Sequence, residues 1–223
     1  MKAMVASADR RVLRAEQKRS ERRDAILRAA ERVLSERGFP DASISHVIDA
    51  AGISRGTFYL YFDSKDALYL ELIEHFTALV TAALEVVDPH GPDPARGIFE
   101  NVRRVVDVAF EHPELTLLVL RESRGLNQQI DQRLDRLYGF LHEMVEGALV
   151  NGASSGLTRK VYEPVIATAL VGAFKEVFLH HLTPRGPART DRQVLVEALF
   201  EFGIRGLLLP RSAQSSPPPR KSP

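Results

Sequence analysis

The chain has 223 residues, 44% of them hydrophobic, with 30 Lys/Arg against 29 Asp/Glu and no Cys. That is apolar material for one or two packed domains, and it excludes a disulfide framework or a Cys-based metal site. There is no signal-peptide pattern, and the uncharged stretch VIATALVGAF at 165–174 is too short to span a bilayer, so a cytoplasmic protein without a membrane partner is expected.

The near-neutral total conceals a gradient. Residues 1–65 carry 13 Lys/Arg against 9 Asp/Glu, residues 66–209 carry 14 against 20, and residues 210–223 carry 3 against 0. A basic end on an acidic body suits a DNA reader, because phosphate attraction orients the encounter.

Residues 1–19 are basic and short of large apolar side chains, which reads as a flexible arm able to reach a groove or phosphates. A first helix runs from Ser20 to about Arg37, with Ile26, Leu27, Ala30, Val33 and Leu34 at helical spacing. Gly38 is its stop and Phe39 closes a small core. Two short helical patterns follow. Ser43 caps the first, whose inner face holds Val47, Ile48 and Ala51, and Gly52 supplies the left-handed turn. Ser54 opens the second, which places Phe58 and Phe62 on one side and Gly56, Thr57, Leu60 and Tyr61 on the other.

A helix of barely two turns is unstable alone and needs a bundle to hold it, which is helix-turn-helix logic. In a major groove Gly56 lets the backbone approach, Thr57 and Tyr61 offer hydroxyls, Leu60 meets a thymine methyl and Arg55 forks onto a guanine or a phosphate. Lys65, just beyond, is placed for a phosphate.

From Ser64 a long helix carries Leu68, Leu72, Ile73, Phe76, Leu79, Val80, Ala83 and Leu84 to about Val87, a candidate lever between two domains. DPHGPDP at 88–94 is a turn-rich boundary, and Asp93-Pro94 opens a helix to Phe110. Pro113 starts a short apolar helix. Asn127 caps another, running to Val150 and stopped at Asn151-Gly152. The pattern from about Tyr162 to His181 is apolar almost all round. After a Pro/Gly turn, Thr190 and Gln193 form a capping box for a last helix ending at Pro210. The surplus apolar surface of these last two patterns, 162–181 and 191–209, points to a homodimer interface. Two reading helices would then lie about 34–36 Å apart over a pseudo-palindrome. The tail 210–223 is Pro/Ser-rich and expected to be disordered.

The helix ILRAAERVLSERGF, the segment AGISRGTFYLYF and the start SKDAL together resemble the N-terminal domain of the TetR family of bacterial transcriptional regulators. The resemblance spans about 60 residues. It implies an all-α homodimer: an N-terminal three-helix helix-turn-helix DNA-binding domain (20–80, motif about 44–63) joined to a larger helical ligand-binding and dimerisation domain (81–209). It implies a repressor that leaves its double-stranded operator when a small-molecule effector binds. The family's DNA contacts would fall on Ser43, Ser45, Ser54, Arg55, Gly56, Thr57, Tyr59, Tyr61 and Lys65. Ile48 stands where the family usually has a small Ala, which bears on how the two motif helices cross.

An effector pocket is expected between the lever helix and the first interface helix. Phe76, Phe99, Phe110, Phe140, Met144 and Phe174 are candidates for its walls, and Arg103, Arg121, Tyr138 and His142 for its polar contacts. His180 and His181 point about 100° apart on a helix and do not form a metal pair. No cofactor motif and no catalytic signature (HExxH, GxSxG, P-loop) occurs, so an enzyme is not expected. The alternative is a helical small-molecule-binding protein or enzyme that has lost DNA binding.

Overall fold

The computed structural model describes residues 2–121, 125, 127–183, 190–205 and 207. Among these residues the chain is helical: α1 (Lys2–Arg37), α2 (Ile44–Ala51), α3 (Arg55–Tyr59), α4 (Lys65–Ala83), α5 (Pro94–Glu111), α6 (Pro113–Leu120), α7 (Gln128–Ser154), α8 (Glu163–His181) and α9 (Arg192–Phe200). One π-helical turn, Glu201–Arg205, continues α9.

The N-terminal segment departs from expectation. Helix α1 begins at Lys2, so residues 2–19, expected as an arm, are helical. The stretch holds no Gly or Pro and is rich in Ala and Arg. Good helix formers propagate a helix that tertiary contacts have nucleated further along, even without an apolar face of their own. From Ile26 onward α1 turns inward, burying Ile26, Ala29, Ala30, Val33 and Leu34.

Helices α1 and α4 form the frame on which α2 and α3 sit. One core joins Ile26, Ala30 and Leu34 of α1, Val47 of α2, Phe58 of α3, and Leu68, Tyr69, Leu72 and Ile73 of α4. The same core runs on through Leu115, Leu118 and Val119 of α6 and Ile130, Leu134 and Leu137 of α7. The boundary expected near residue 80 is therefore bridged by continuous packing. The Tyr69 hydroxyl donates to the Leu118 carbonyl at 3.1 Å, and the Arg121 guanidinium donates to the Ser35 carbonyl at 3.3 Å. A second core gathers Val102, Val106 and Ala109 of α5, Phe178 of α8, and Val196 and Leu199 of α9.

Several helix ends differ from the reading of the sequence, each for a local reason. Helix α4 stops at Ala83 with Leu84 extended, rather than at Val87. The Asn101 side chain accepts from Glu85 N at 3.0 Å and donates to Glu85 O at 2.7 Å, giving that residue's backbone partners outside the helix. Helix α7 passes through Gly152 to Ser154. A Cβ there would lie 2.9 Å from the Thr158 hydroxyl, so this glycine serves a close approach, and Gly156, at φ 73°, makes the turn. The cap of α9 is Asp191, accepting from Gln193 N at 2.7 Å, while Thr190 pairs with His181 Nδ1 at 3.1 Å. Residues 208–223, including the expected tail, lie outside the described set.

Phe58 is fully buried and α3 has only five residues, so packing rather than helix propensity holds α3 in place. Phe58→Ala should lower the unfolding free energy by about 3–5 kcal/mol. Urea denaturation followed by circular dichroism measures this; a loss below about 1 kcal/mol would remove Phe58 as the anchor.

Candidate nucleic-acid interface

The turn between α2 and α3 is built by backbone chemistry. Ser43 caps α2 reciprocally with His46: His46 N donates to Ser43 Oγ and Ser43 N to His46 Nδ1, both at 3.2 Å. Position 46 was not legible as a cap partner, because the residue usually sought there is Glu or Gln. Gly52 ends α2 at φ 63°, and its amide donates to Asp49 O. Ser54 then caps α3, accepting from Thr57 N at 3.1 Å, and shares a hydroxyl–hydroxyl bond of 2.8 Å with Thr57. Each cap thus takes up one amide of its helix's first turn and fixes the N-terminus in place.

Side chains divide sharply across α3 and the turn that follows it. Phe58 and Phe62 are buried, their rings 5.9 Å apart. Tyr59 is 43% and Leu60 72% exposed, large apolar surfaces for a protein to leave in water. The Arg55 guanidinium lies 5.9 Å from the Tyr59 ring centroid, so the two form one outward ledge. Ser43, Ser45, Ser54, Arg55 and Gly56 are exposed on the same head, and Thr57 is half-buried. A Cβ built on Gly56 meets only Ser54 Oγ, at 4.0 Å. Nothing among the described residues requires a glycine there.

Two expected DNA contacts are placed differently. Tyr61 is half-buried and packs against the core instead of standing free. Lys65, expected at a phosphate, turns inward: its ammonium donates to the Phe39 and Ala42 carbonyls, at 2.6 and 2.9 Å, and lies 4.3 Å from the Phe39 ring centroid. It ties the loop after α1 to the start of α4. Ile48, the departure from the family pattern, packs partly buried against the core, where its extra bulk is accommodated. Arg23 braces the frame as well, pairing with Glu71 (Nε to Oε1 2.7 Å) and lying 5.1 Å from the Phe62 ring centroid; that hydrogen bonding holds its pKa above the usual value.

Candidates for the effector pocket are divided between the two cores. Phe76 belongs to the first core, whereas Phe99, Phe110 and Phe174 flank the second. Apolar helical spacing reports burial and does not distinguish a pocket wall from core. Arg103 bridges Glu100 and Asp107 along α5, and exposed Arg121 caps α6. Phe140 is 38% exposed, and Lys175 lies 5.6 Å from the Tyr138 ring centroid. His142 and Met144 are half-buried on α7. His180 and His181 end α8 with ring centroids 5.2 Å apart, and burial lowers the His181 pKa. No helix among the described residues is long and apolar enough to cross a membrane.

Residues 26–72 match the model for bacterial regulatory proteins of the tetR family, the span from the inward half of α1 into α4. The chain is 30% identical over 139 residues to the HTH-type transcriptional repressor NicS of Pseudomonas putida, an alignment covering 61% of this chain and 66% of NicS. The chain therefore spans slightly less than two thirds of that relative. Its fold is similar to the TetR-family regulator PfmR of Thermus thermophilus (TM-score 0.70, 20% identity, covering 84% of this chain and 98% of PfmR). It is also similar to AibR, solved in complex with isovaleryl coenzyme A and operator DNA (TM-score 0.68, 16% identity, covering 81% and 97%).

The placement of Lys65 has a measurable consequence. Lys65→Met should lower stability by about 1.5–3 kcal/mol, the range for hydrogen bonds to a charged group, and leave the salt dependence of any DNA binding unchanged. A reduced salt slope at unchanged stability would return Lys65 to a phosphate.

Proposed function

We propose that this chain is a member of the tetR family of bacterial regulatory proteins, a ligand-responsive transcriptional repressor acting in the cytoplasm. In this reading it binds a pseudo-palindromic operator as a homodimer and is released by a small-molecule effector, without catalysis. The observation that carries the DNA reading is the division of the α3 head: Phe58 and Phe62 are locked inside, while Arg55, Gly56, Tyr59 and Leu60 face outward. A helix this short, held rigidly by a larger frame with its polar and aromatic groups outside, suits insertion into a major groove.

The contacts divide by chemistry. Arg55 forks onto a guanine edge or a phosphate, and Leu60 meets a thymine methyl. Ser43, Ser45 and Ser54, with the backbone amides at the starts of α2 and α3, hold phosphates and fix register. Thr57 and Tyr59 contribute from the flank of α3, and Gly56 leaves room for the DNA backbone. Lys65 is excluded from this set, and Tyr61 contributes through packing.

The homodimer is supported by an unpartnered stripe. Val165, Ala169 and Gly172 stand exposed at i, i+4 and i+7 of α8; Val194, Ala198 and Phe202 do so at i, i+4 and i+8 through α9 and the π-turn. Val165 is 58%, Val194 54% and Phe202 72% exposed. Two such faces bury one another in a two-fold arrangement and set the separation of the two reading heads. An effector acting on the helical body changes that separation. The shared core of α1, α4, α6 and α7 provides the mechanical connection.

Gly56→Ala tests the DNA reading without disturbing the fold. Unfolding free energy should stay the same or rise by up to about 1 kcal/mol. Affinity for duplexes recovered by the wild type from a random pool should fall at least about tenfold, measured by fluorescence anisotropy; full affinity would place the DNA elsewhere. The double variant Val165→Asp with Phe202→Glu should sediment as a monomer and lose about 10²-fold or more in operator affinity, because two linked half-sites become independent. A variant that remains dimeric would move the interface off this face.

A further inference from the structure

Beside the reading head lies an open cleft of about 590 Å³, lined by Lys18, Arg19 and Arg22 of α1 and by Leu60 and Tyr61 just after α3. It exists because α1 continues as helix N-terminal to the part that packs in the core. The spacing of 18, 19 and 22 gathers the three cations on one side of that extension. Arg23, the next residue, is engaged with Glu71 and Phe62 and belongs to the frame. Lys18, Arg19 and Arg22 are all exposed, and among the described residues no acidic side chain pairs with them; the neighbouring Glu21 takes a hydrogen bond from Gln17. Three cations converging without acids lower their mutual repulsion by receiving an anion.

We infer that this cleft seats the sugar-phosphate backbone of the duplex beside the groove read by α3, with Lys18, Arg19 and Arg22 neutralising phosphates. The inference rests on the reading of α3 as the DNA-reading helix. Two observations select DNA as the occupant. Leu60 and Tyr61 wall the cleft and also belong to the α3 head, so a duplex lying on that head continues into it. The cleft is open rather than enclosed, which fits a polyanion better than a small anion. The helical extension, expected from sequence as a mobile arm, thereby acts as a rigid rail. Its contacts add affinity and register without reading bases. Arg14, exposed one turn further toward the N-terminus, extends the rail.

The test uses the full chain and the triple variant Lys18→Gln, Arg19→Gln, Arg22→Gln, binding duplexes recovered by the wild type from a random pool. The slope of log affinity against log salt should fall by about three per protomer, at about 0.9 for each phosphate released. The sequence motif selected by the variant should be the same as that of the wild type. Trimming the duplex flanks should weaken the wild type and leave the variant indifferent. An unchanged slope overturns the inference, and so does an equal response of both proteins to trimming, since the charges would then act only through their distant field. Those two outcomes leave the α3 reading intact, provided Gly56→Ala still loses affinity. A wild type that recovers no duplex at any salt overturns both.

Discussion

The burial of Phe58 is the constraint on which the rest of the structure depends. A five-residue helix cannot supply its own stability, because nucleating one turn costs more than a few hydrogen bonds return. Phe58 and Phe62 enter the core between α1 and α4, and Ser54 satisfies the first turn from outside. The outward residues are then free of any folding duty. Leu60 is left largely in water and Gly56 carries no side chain although the chain has room for one. Positions released from structural demand, on a head held this firmly, are where recognition chemistry can be placed.

The same core joins the α3 head to the helical body. Its apolar side chains pass without a break from α1, α2 and α3 through α4 to α6 and α7. Polar ties reinforce the seam: Tyr69 to the Leu118 carbonyl, Asn127 to Asp66 at 2.5 Å, and Arg133 to Glu74. A displacement of α6 or α7 is therefore transmitted to the platform under α3, since close-packed interiors shift between discrete arrangements rather than yield. The second core, of α5, α8 and α9, stands behind the exposed stripe that we assign to dimerisation.

Much of this was legible in the sequence because the deciding residues act locally. Gly52 requires the left-handed turn, Ser43, Ser54 and Asp93 cap their helices, and the phenylalanine spacing in 54–62 fixes which side is buried. What was not legible depends on contacts distant in the chain. Lys65 reads as a surface cation until the carbonyls of Phe39 and Ala42 are seen beside it, 26 and 23 residues away. Gly152 reads as a stop until Thr158 folds back against it. The basic N-terminal stretch lacks apolar periodicity, yet its helix propensity carries α1 back to Lys2. The pocket candidates were not separable from core in the sequence, because an apolar residue at helical spacing looks the same whether it faces a ligand or a neighbour.

In this reading the frame preforms α3 before any partner arrives. Amide hydrogen exchange on the free protein measures this directly. The Phe58 amide donates to the Ser54 carbonyl at 3.1 Å and the Phe62 amide to the Phe58 carbonyl at 3.1 Å. If packing holds α3, both should exchange only when the shared core opens, with protection matching Leu72 and Ile73 of α4. Exchange of Phe58 and Phe62 at the rate of a frayed peptide, while α4 stays protected, would contradict the account and make the reading head a product of binding.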